Sequence, residues 1–552
     1  MRFKLPLIIA VSMAVLGCDP GLPEGGNDFA AGGSAVALSQ GEFNTLAPEQ
    51  QYMVANKLLG TMFRGVSVED FFDMNAGIAN PQPKSSNFLA DTKTALQTKL
   101  SPAEILAHDT IIDGLDDEGN PDPTVAKYRF DDDPDARQNE RPKQLPLARI
   151  KEYPVSRDVF VHWMAYVLMN TIMFSPAEEM ESTDYTDVQN MFRFLVTNLE
   201  SNTPIRQVIR SNLSTLARWR VSRSPENHAL EAYELYLGLF ETEEDSYRGG
   251  IACKDLYLTN EDDGYLIRRT DFPNTVPQLV LQTNYVTTCD DLYEVIAGHP
   301  LLIPRVVEVI YNYFVELRGD NLDYRRNYIN SIANSNPETF EDIFMAILFS
   351  REYLLNVERP RSVEENLMPM LDTLQWHPDE GAGEVDEQIF RRMTEFSNQQ
   401  IYMDGMGWAT AKYKIGRLPD VPLDGLSFAN YHKSMREELL MNRGYYDPSA
   451  TRGIANFLYD ENGDVKPFID SMSLNDFVDY LFMSVLQRKA DANEKADLID
   501  VFATGVTGNH LTTDPDDNTI TIVRVGRHDE IAQITFDYIA RLPEFYYFRS
   551  VN

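Results

Sequence analysis

A mainly α-helical body, built as one large multi-helix core or two packed helical subdomains and carrying one or two short β-hairpins, is the architecture this 552-residue chain predicts. Apolar residues recur at three- and four-residue spacing in many segments, and strand patterning is confined to two short runs. The composition, 43% hydrophobic with 11% aromatic residues, is ample for a core of that size.

The chain opens with Arg2 and Lys4, an apolar run through Leu7, Ile8, Ile9, Val11, Met13, Val15 and Leu16, and then Val15-Leu16-Gly17-Cys18. This combination reads as a lipoprotein signal peptide over 1–17 with a lipobox, making Cys18 the lipidation site. Two acyl chains on Cys18 hold a protein at a membrane where one binds only marginally. Residues 18–45, with Pro20, Pro23, Gly25, Gly26, Gly32 and Gly33, read as a flexible tether.

An N-terminal helical region follows over 46–150. Pro48 and Glu49 suit a helix first turn, Met53, Val54, Leu58 and Leu59 fall at helical spacing, and Gly60 fits just past the end. Asp113–Pro134 reads as an acidic loop broken by prolines, whose default role is a solvated surface. A helical core is expected over 151–370. Its most apolar stretch, Val159 to Phe174, is shorter than the ~20 residues that span a bilayer and contains His162 and Asn170, so a helix buried on all sides is expected. Helical runs continue at Asp187–Asn198, Glu226–Phe240, Leu302–Leu317 and Thr339–Tyr353. A C-terminal helical region over 371–552 contributes Val385–Asn398 and Leu474–Gln487, a hairpin from Phe457 to Val465 turning at Asn462-Gly463, and a short strand at Thr519–Val525. Phe340–Leu354 and Ile531–Tyr546 echo one another loosely, each ending an amphipathic helix in a Glu-aromatic pair.

Lys and Arg total 49 against 85 Asp and Glu, a net charge of −36. Such a surface repels phosphate backbones, which argues against nucleic-acid binding. Of three cysteines, Cys18 is assigned to lipid, leaving Cys253 and Cys289 as an even pair in a compartment that permits a disulfide. Cysteine and histidine spacings fit neither zinc nor haem, and no cofactor is expected.

The sharpest polar constellation runs from Pro225 to Gly238. On a helix Asn227, Glu231 and Glu234 share a face and His228 neighbours Glu231, so Glu226, His228, Glu231 and Glu234 are the residues able to bind a cation or move a proton. The same carboxylates serve equally well as ion-pair partners for Arg218, Arg220 or Arg223. Asp460, Asn462 and Asp464 match the first ligand positions of a calcium loop, but Val465 stands where its sharp turn needs glycine, which favours a hairpin turn. His162 and His299 suit buried, hydrogen-bonded roles. GxSxG, P-loop and HExxH motifs are absent from the sequence.

Glu226–Gly238 resembles the signature run of the bacterial family called domain of unknown function 1800. Gly298-His299-Pro300 with Val306, Val307, Ile310, Tyr311 and Phe314, and then Phe340–Tyr353, are similar to two further helices of that family, so the resemblance covers roughly residues 155–370. Leu230 and Arg351 stand where the family carries arginine and proline. The resemblance implies a mostly helical exported protein, often encoded beside sulfatase-like secreted proteins, and implies no reaction. The resulting expectation is a membrane-anchored extracytoplasmic lipoprotein that binds or scaffolds without its own catalysis. Its partners would be the lipid membrane and a co-exported envelope protein. The alternative is an envelope-polymer hydrolase or modifying enzyme using the Glu/His cluster of 226–238.

Overall fold

The computed structural model describes residues 35–113, 145–169, 171–173, 185–259, 264–315, 322–375, 455–460, 462–505, 511–513, 520–522 and 528–551. The signal peptide, Cys18, residues 114–134 of the acidic loop and the expected helix at Val385–Asn398 lie outside them.

The chain is mainly helical, with a few short antiparallel strand pairs. The first helices are α1 (Gln40–Thr45), α2 (Pro48–Thr61), α3 (Val68–Phe71), α4 (Phe88–Ala95), α5 (Pro102–Asp113) and α6 (145–152). Next come α7 (Arg157–Met169), α8 (Tyr185–Glu200), α9 (Ile205–Leu213), α10 (Leu216–Ser222), α11 (Pro225–Leu237) and α12 (Glu243–Ala252). Two ribbons interrupt the helices: β1 (Leu256–Leu258) with β2 (Leu266–Arg268), and β3 (Gln278–Val280) with β4 (Asn284–Val286). Helices α13 (Cys289–Gly298), α14 (Leu302–Phe314), α15 (Leu322–Ala333), α16 (Phe340–Leu348) and α17 (Val363–Thr373) follow, with β5 (Arg359–Pro360) before α17. The remainder comprises α18 (Ala455–Leu458), α19 (Pro467–Asp470), α20 (Leu474–Leu486), α21 (Ala492–Gly505), β6 (Leu511–Thr513), β7 (Ile520–Ile522), α22 (His528–Ile539) and β8 (Tyr547–Phe548).

The centre is α7, in which every side chain from Arg157 to Met169 is buried. Trp163 meets Phe314 at 5.6 Å and Phe344 at 5.2 Å between ring centroids, so α14 and α16 pack on the same helix. At 1.5 Å per residue α7 is roughly 20 Å long, well short of a ~30 Å hydrocarbon layer. No helix among the described residues is long and apolar enough to cross a membrane. Reciprocal capping boxes start α1 (Ser39 with Glu42), α13 (Thr288 with Asp291), α16 (Thr339 with Asp342) and α17 (Ser362 with Glu365).

Several expectations are corrected. Residues 35–45 belong to the body and not to a tether: Leu38 donates to the Phe349 carbonyl at 2.8 Å, and the α1 capping box holds fully buried Phe43 against Phe88. Gly60 lies inside the last turn of α2, where Phe548 and Pro369 approach it, and does not end the helix. The helix expected over 339–353 stops at Leu348 and resumes as a π-turn over Glu352–Asn356. Phe457 and Leu458 are helical, so only Tyr459 and Val465 pair across the Asn462-Gly463 turn. Ile520–Ile522 is a strand, pairing with Leu511–Thr513. One hydrophobic cluster runs from Leu38 to Val551 across the expected borders at 150 and 370, so the described residues share a single core.

The stretches that follow the two echoing segments pair with each other. The π-turn leads into β5, the 3-10 turn Pro543–Tyr546 leads into β8, and β5 pairs antiparallel with β8, Arg359 opposite Phe548. This ribbon brings the middle of the chain, its last described residues and α2 to one place. Elsewhere α12 crosses α11 with no room to spare. A methyl group on Gly249 would lie 2.8 Å from Ala229 Cβ, and one on Gly250 would lie 2.9 Å from Glu226 Cα. The glycines therefore set the depth of that crossing.

Candidate functional site: the helix 10–11 cluster and the buried arginine junction

Helix α10 begins at Thr215, whose hydroxyl accepts from the Arg218 amide at 3.2 Å, and ends at Arg223 in the left-handed region (φ 64°). Ser224 then caps α11, Pro225 takes its first position, and Gly238 closes it at φ 69°. The tight turn folds α11 back so that residues distant along the chain converge.

Glu231 Oε2 accepts from Arg218 Nη2 at 2.6 Å and from Ser222 Oγ at 3.2 Å, while its Oε1 accepts from Asn227 Nδ2 at 2.8 Å. Arg218 is 1% exposed, so this ion pair closes inside the body. The pairing with Arg218 is among those the sequence allowed; Arg220 instead pairs with buried Asp187 at 2.8 Å. His228 is fully buried and stacks on Trp219 at 4.3 Å between centroids. Its Nε2 lies 3.0 Å from the Tyr293 hydroxyl and its Nδ1 lies 3.1 Å from Ser222 Oγ. Trp219 Nε1 donates to the same Tyr293 hydroxyl at 3.0 Å. Assigning the hydrogens so that each donor has an acceptor runs Trp219 to Tyr293, Tyr293 to His228 Nε2, and His228 Nδ1 to Ser222, whose hydroxyl faces both the Arg218 carbonyl at 3.1 Å and Glu231 at 3.2 Å.

Burial, reinforced by the Arg218 charge, pushes the His228 pKa well below the ordinary imidazole value, and burial raises that of Tyr293. The imidazole is therefore neutral, with both nitrogens engaged by protein groups. Of the four residues singled out in the sequence, the structure brings together His228 and Glu231, with Asn227. Glu226 is exposed in the first turn, where a carboxylate suits the helix dipole, and Glu234 is half-buried a turn beyond Glu231. The chemistry this arrangement supports is the fastening of α10, α11 and α13 by charge and hydrogen bonds. Among the described residues no group of three or more His, Cys, Asp or Glu is placed to hold a metal ion.

The even cysteine pair is joined: Cys253 and Cys289 form a disulfide across a separation of 36 residues, both sulfurs buried. The bridge ties the end of α12 to the first residue of α13 and closes the loop that carries both ribbons. Asp460 serves a turn: its Oδ1 accepts from the Asn462 amide at 2.8 Å and the Asp464 amide at 3.0 Å, with Gly463 at φ 78°. Those backbone donors hold the Asp460 pKa below the ordinary carboxylate range. His162 Nδ1 lies 2.7 Å from the Asp158 carbonyl in the buried α7, and desolvation lowers its pKa to about 4. His299 is half-buried and its Nδ1 accepts from the Leu301 amide at 3.2 Å.

A second polar centre carries no motif. Arg359, fully buried, donates from Nη1 and Nη2 to the two oxygens of fully buried Glu365 at 2.7 and 2.5 Å, and from Nη2 to the Tyr353 hydroxyl at 3.1 Å. Its guanidinium lies 4.8 Å from the Phe548 ring and 5.8 Å from that of Phe314. Beside it, buried Lys57 donates to the Val357 carbonyl at 2.5 Å and the Arg549 carbonyl at 3.2 Å. Burial, with the neighbouring Arg359 charge, lowers the Lys57 pKa to about 7. An adjoining cavity of about 10 Å³, lined by Asn56, Arg361, Glu365, Asn366, Ser484 and Gln487 among others, is water-sized. The Ser362–Glu365 capping spacing was the sequence signal for part of this centre; the burial depends on rings from α14 and β8.

Comparison with protein-family models, with curated proteins and with solved structures finds no match to this chain. The site therefore has to be read from its own chemistry.

Proposed function

We propose that this chain is an extracytoplasmic lipoprotein, anchored by acylated Cys18, that serves as a binding or scaffold component of the cell envelope. The observation that carries the reading is the Cys253–Cys289 disulfide, a bond that persists in oxidising compartments. It joins the two cysteines left over once the lipobox claims the third. The scaffold part is supported by the use to which the most reactive-looking groups are put: His228 and Glu231 are spent on the Trp219–Tyr293 and Arg218 network, inside the body. The resemblance to the family of unknown function 1800 belongs to this proposal too, with a co-exported, sulfatase-like envelope protein as a partner.

The test is metabolic labelling with a tagged fatty acid followed by mass spectrometry of the N-terminal peptide of the mature protein. Label on Cys18, and its loss together with membrane association in Cys18→Ser, supports the anchor. Unlabelled protein retaining residues 1–17 overturns it.

A further inference from the structure

The large apolar side chains left exposed among the described residues are unevenly placed. Val36, Leu106, Phe240, Tyr247 and Val501 lie elsewhere, whereas Tyr257, Tyr265, Ile267, Phe272, Val276 and Tyr285 all fall between residues 257 and 285, on or beside the two ribbons. The inner faces of the ribbons are spent on the core, with Leu256, Val280 and Val286 buried. On the outer face Tyr257 stands opposite Ile267, and Tyr285 opposite Leu279. A solvated outer face of an antiparallel pair is normally polar. Here it is aromatic, on a loop that the Cys253–Cys289 disulfide closes.

From this face we infer that two copies of the chain associate through their β1–β4 ribbons. Size is the first argument. Six aromatic or branched side chains, each leaving roughly 100 Å² exposed, amount to roughly 600 Å² of apolar surface. At an apolar share of roughly 65% they belong to a face of roughly 900 Å², one side of a standard interface. Charge is the second. In a molecule of net charge −36, residues 270–288 contain a single charged residue, Asp271. Around the rings, Lys254 lies over Phe272, Arg268 pairs with exposed Asp290 and with buried Asp255, and Arg269 pairs with exposed Asp271. Exposed pairs of both signs on one face suit self-association, since across a two-fold axis Arg268 and Arg269 can exchange Asp290 and Asp271 for the same residues of the other copy. A face built for a strongly charged partner would carry one sign. The ring-capping geometry fits the same use: Arg269 lies 5.7 Å from the Tyr257 ring and 5.6 Å from the Phe272 ring, and arginine and tyrosine are both enriched among the residues that carry binding energy at interfaces. The inference deepens the scaffold reading, but its test does not involve Cys18, so the two can fail separately.

Sedimentation equilibrium of the full chain in neutral detergent, over a concentration series at low and high salt, tests it. A monomer–dimer equilibrium is expected, tightening as salt screens the −36 charge on each copy. Tyr285→Asp and Tyr265→Asp, at positions 71% and 72% exposed, should each weaken the dimer at least tenfold with unchanged thermal unfolding. Leu106→Asp, at an exposed apolar position elsewhere, should leave it intact. A wild-type chain that stays monomeric at every concentration, or a dimer indifferent to both tyrosine substitutions, overturns the inference. So does retention of a monomer on immobilised neutral polysaccharide, which would assign the rings to sugar stacking instead.

Discussion

The Arg218–Glu231 pair and the Arg359–Glu365 pair are both internal ion pairs, yet they hold different kinds of structure together. The first joins neighbours: the partners sit on consecutive helices 13 residues apart, and the Glu231 side chain keeps 15% of its surface in water. The second pair spans only six residues, and what closes the molecule is its surroundings: both partners are fully buried, and the rings around them come from α14, the π-turn and β8. Removing a partner from a pair with no water to fall back on leaves a bare charge in a low-dielectric interior. The lesson is that position in the topology, more than the identity of the residues, sets what an ion pair is worth.

The largest effect should come from Glu365→Ala, which strands Arg359 and is expected to cost about 3–5 kcal/mol of unfolding free energy. Urea unfolding followed by far-UV circular dichroism measures it. Cys289→Ser should follow at about 3–4 kcal/mol by releasing the 36-residue loop, and reduction of the wild type should reproduce the loss. Acid comes next. His162 is neutral when folded, with its pKa lowered to about 4, whereas the unfolded chain protonates near pH 6.5. Stability is therefore fully present above pH 6.5 and falls by about 3 kcal/mol as the pH drops toward 4; His162→Gln should remove that share of the slope. Glu231→Gln should cost about 2 kcal/mol, because the amide still accepts from Asn227 and reaches some water. If it proves as costly as Glu365→Ala, the distinction between neighbour-joining and closing pairs is broken. The smallest effect, read between pH 7 and 8 alone, belongs to Lys57. With its folded pKa near 7 and an unfolded value near 10.5, the unfolded chain holds the extra proton in between, so stability rises with pH across that window by about 1 kcal/mol per unit. Lys57→Met should flatten the rise, read as the difference between the two pH profiles of thermal unfolding.

How much of this was legible depended on distance along the chain. Periodicity located α2, α7, α8, α11, α14 and α20 to within a few residues, because an amphipathic or wholly apolar repeat is a local property. The Asn227–Glu231 spacing and the Arg218 alternative were legible for the same reason, and the cysteine pair followed from counting. Ribbons β1–β2 and β3–β4 escaped: strands of three residues carry too little alternation to stand out, and their outer faces break the rule by being aromatic. Residues 35–45 were misread because Gly and Pro upstream coloured the whole stretch, while the Ser39–Glu42 capping box was the overlooked sign of a helix start. Arg359 offered no warning, since nothing near it in sequence announces Phe314 or Phe548.

The β5–β8 closure also sets a timetable. Lys57 waits for a carbonyl 492 residues downstream, and at ordinary synthesis rates of about 5–20 residues per second that partner emerges roughly 25–100 s later. Until then the amine of α2 stays hydrated and the groove meant for Phe548 stands empty. A fold whose keystone is delivered last stays open to unfolding until synthesis has reached residue 549.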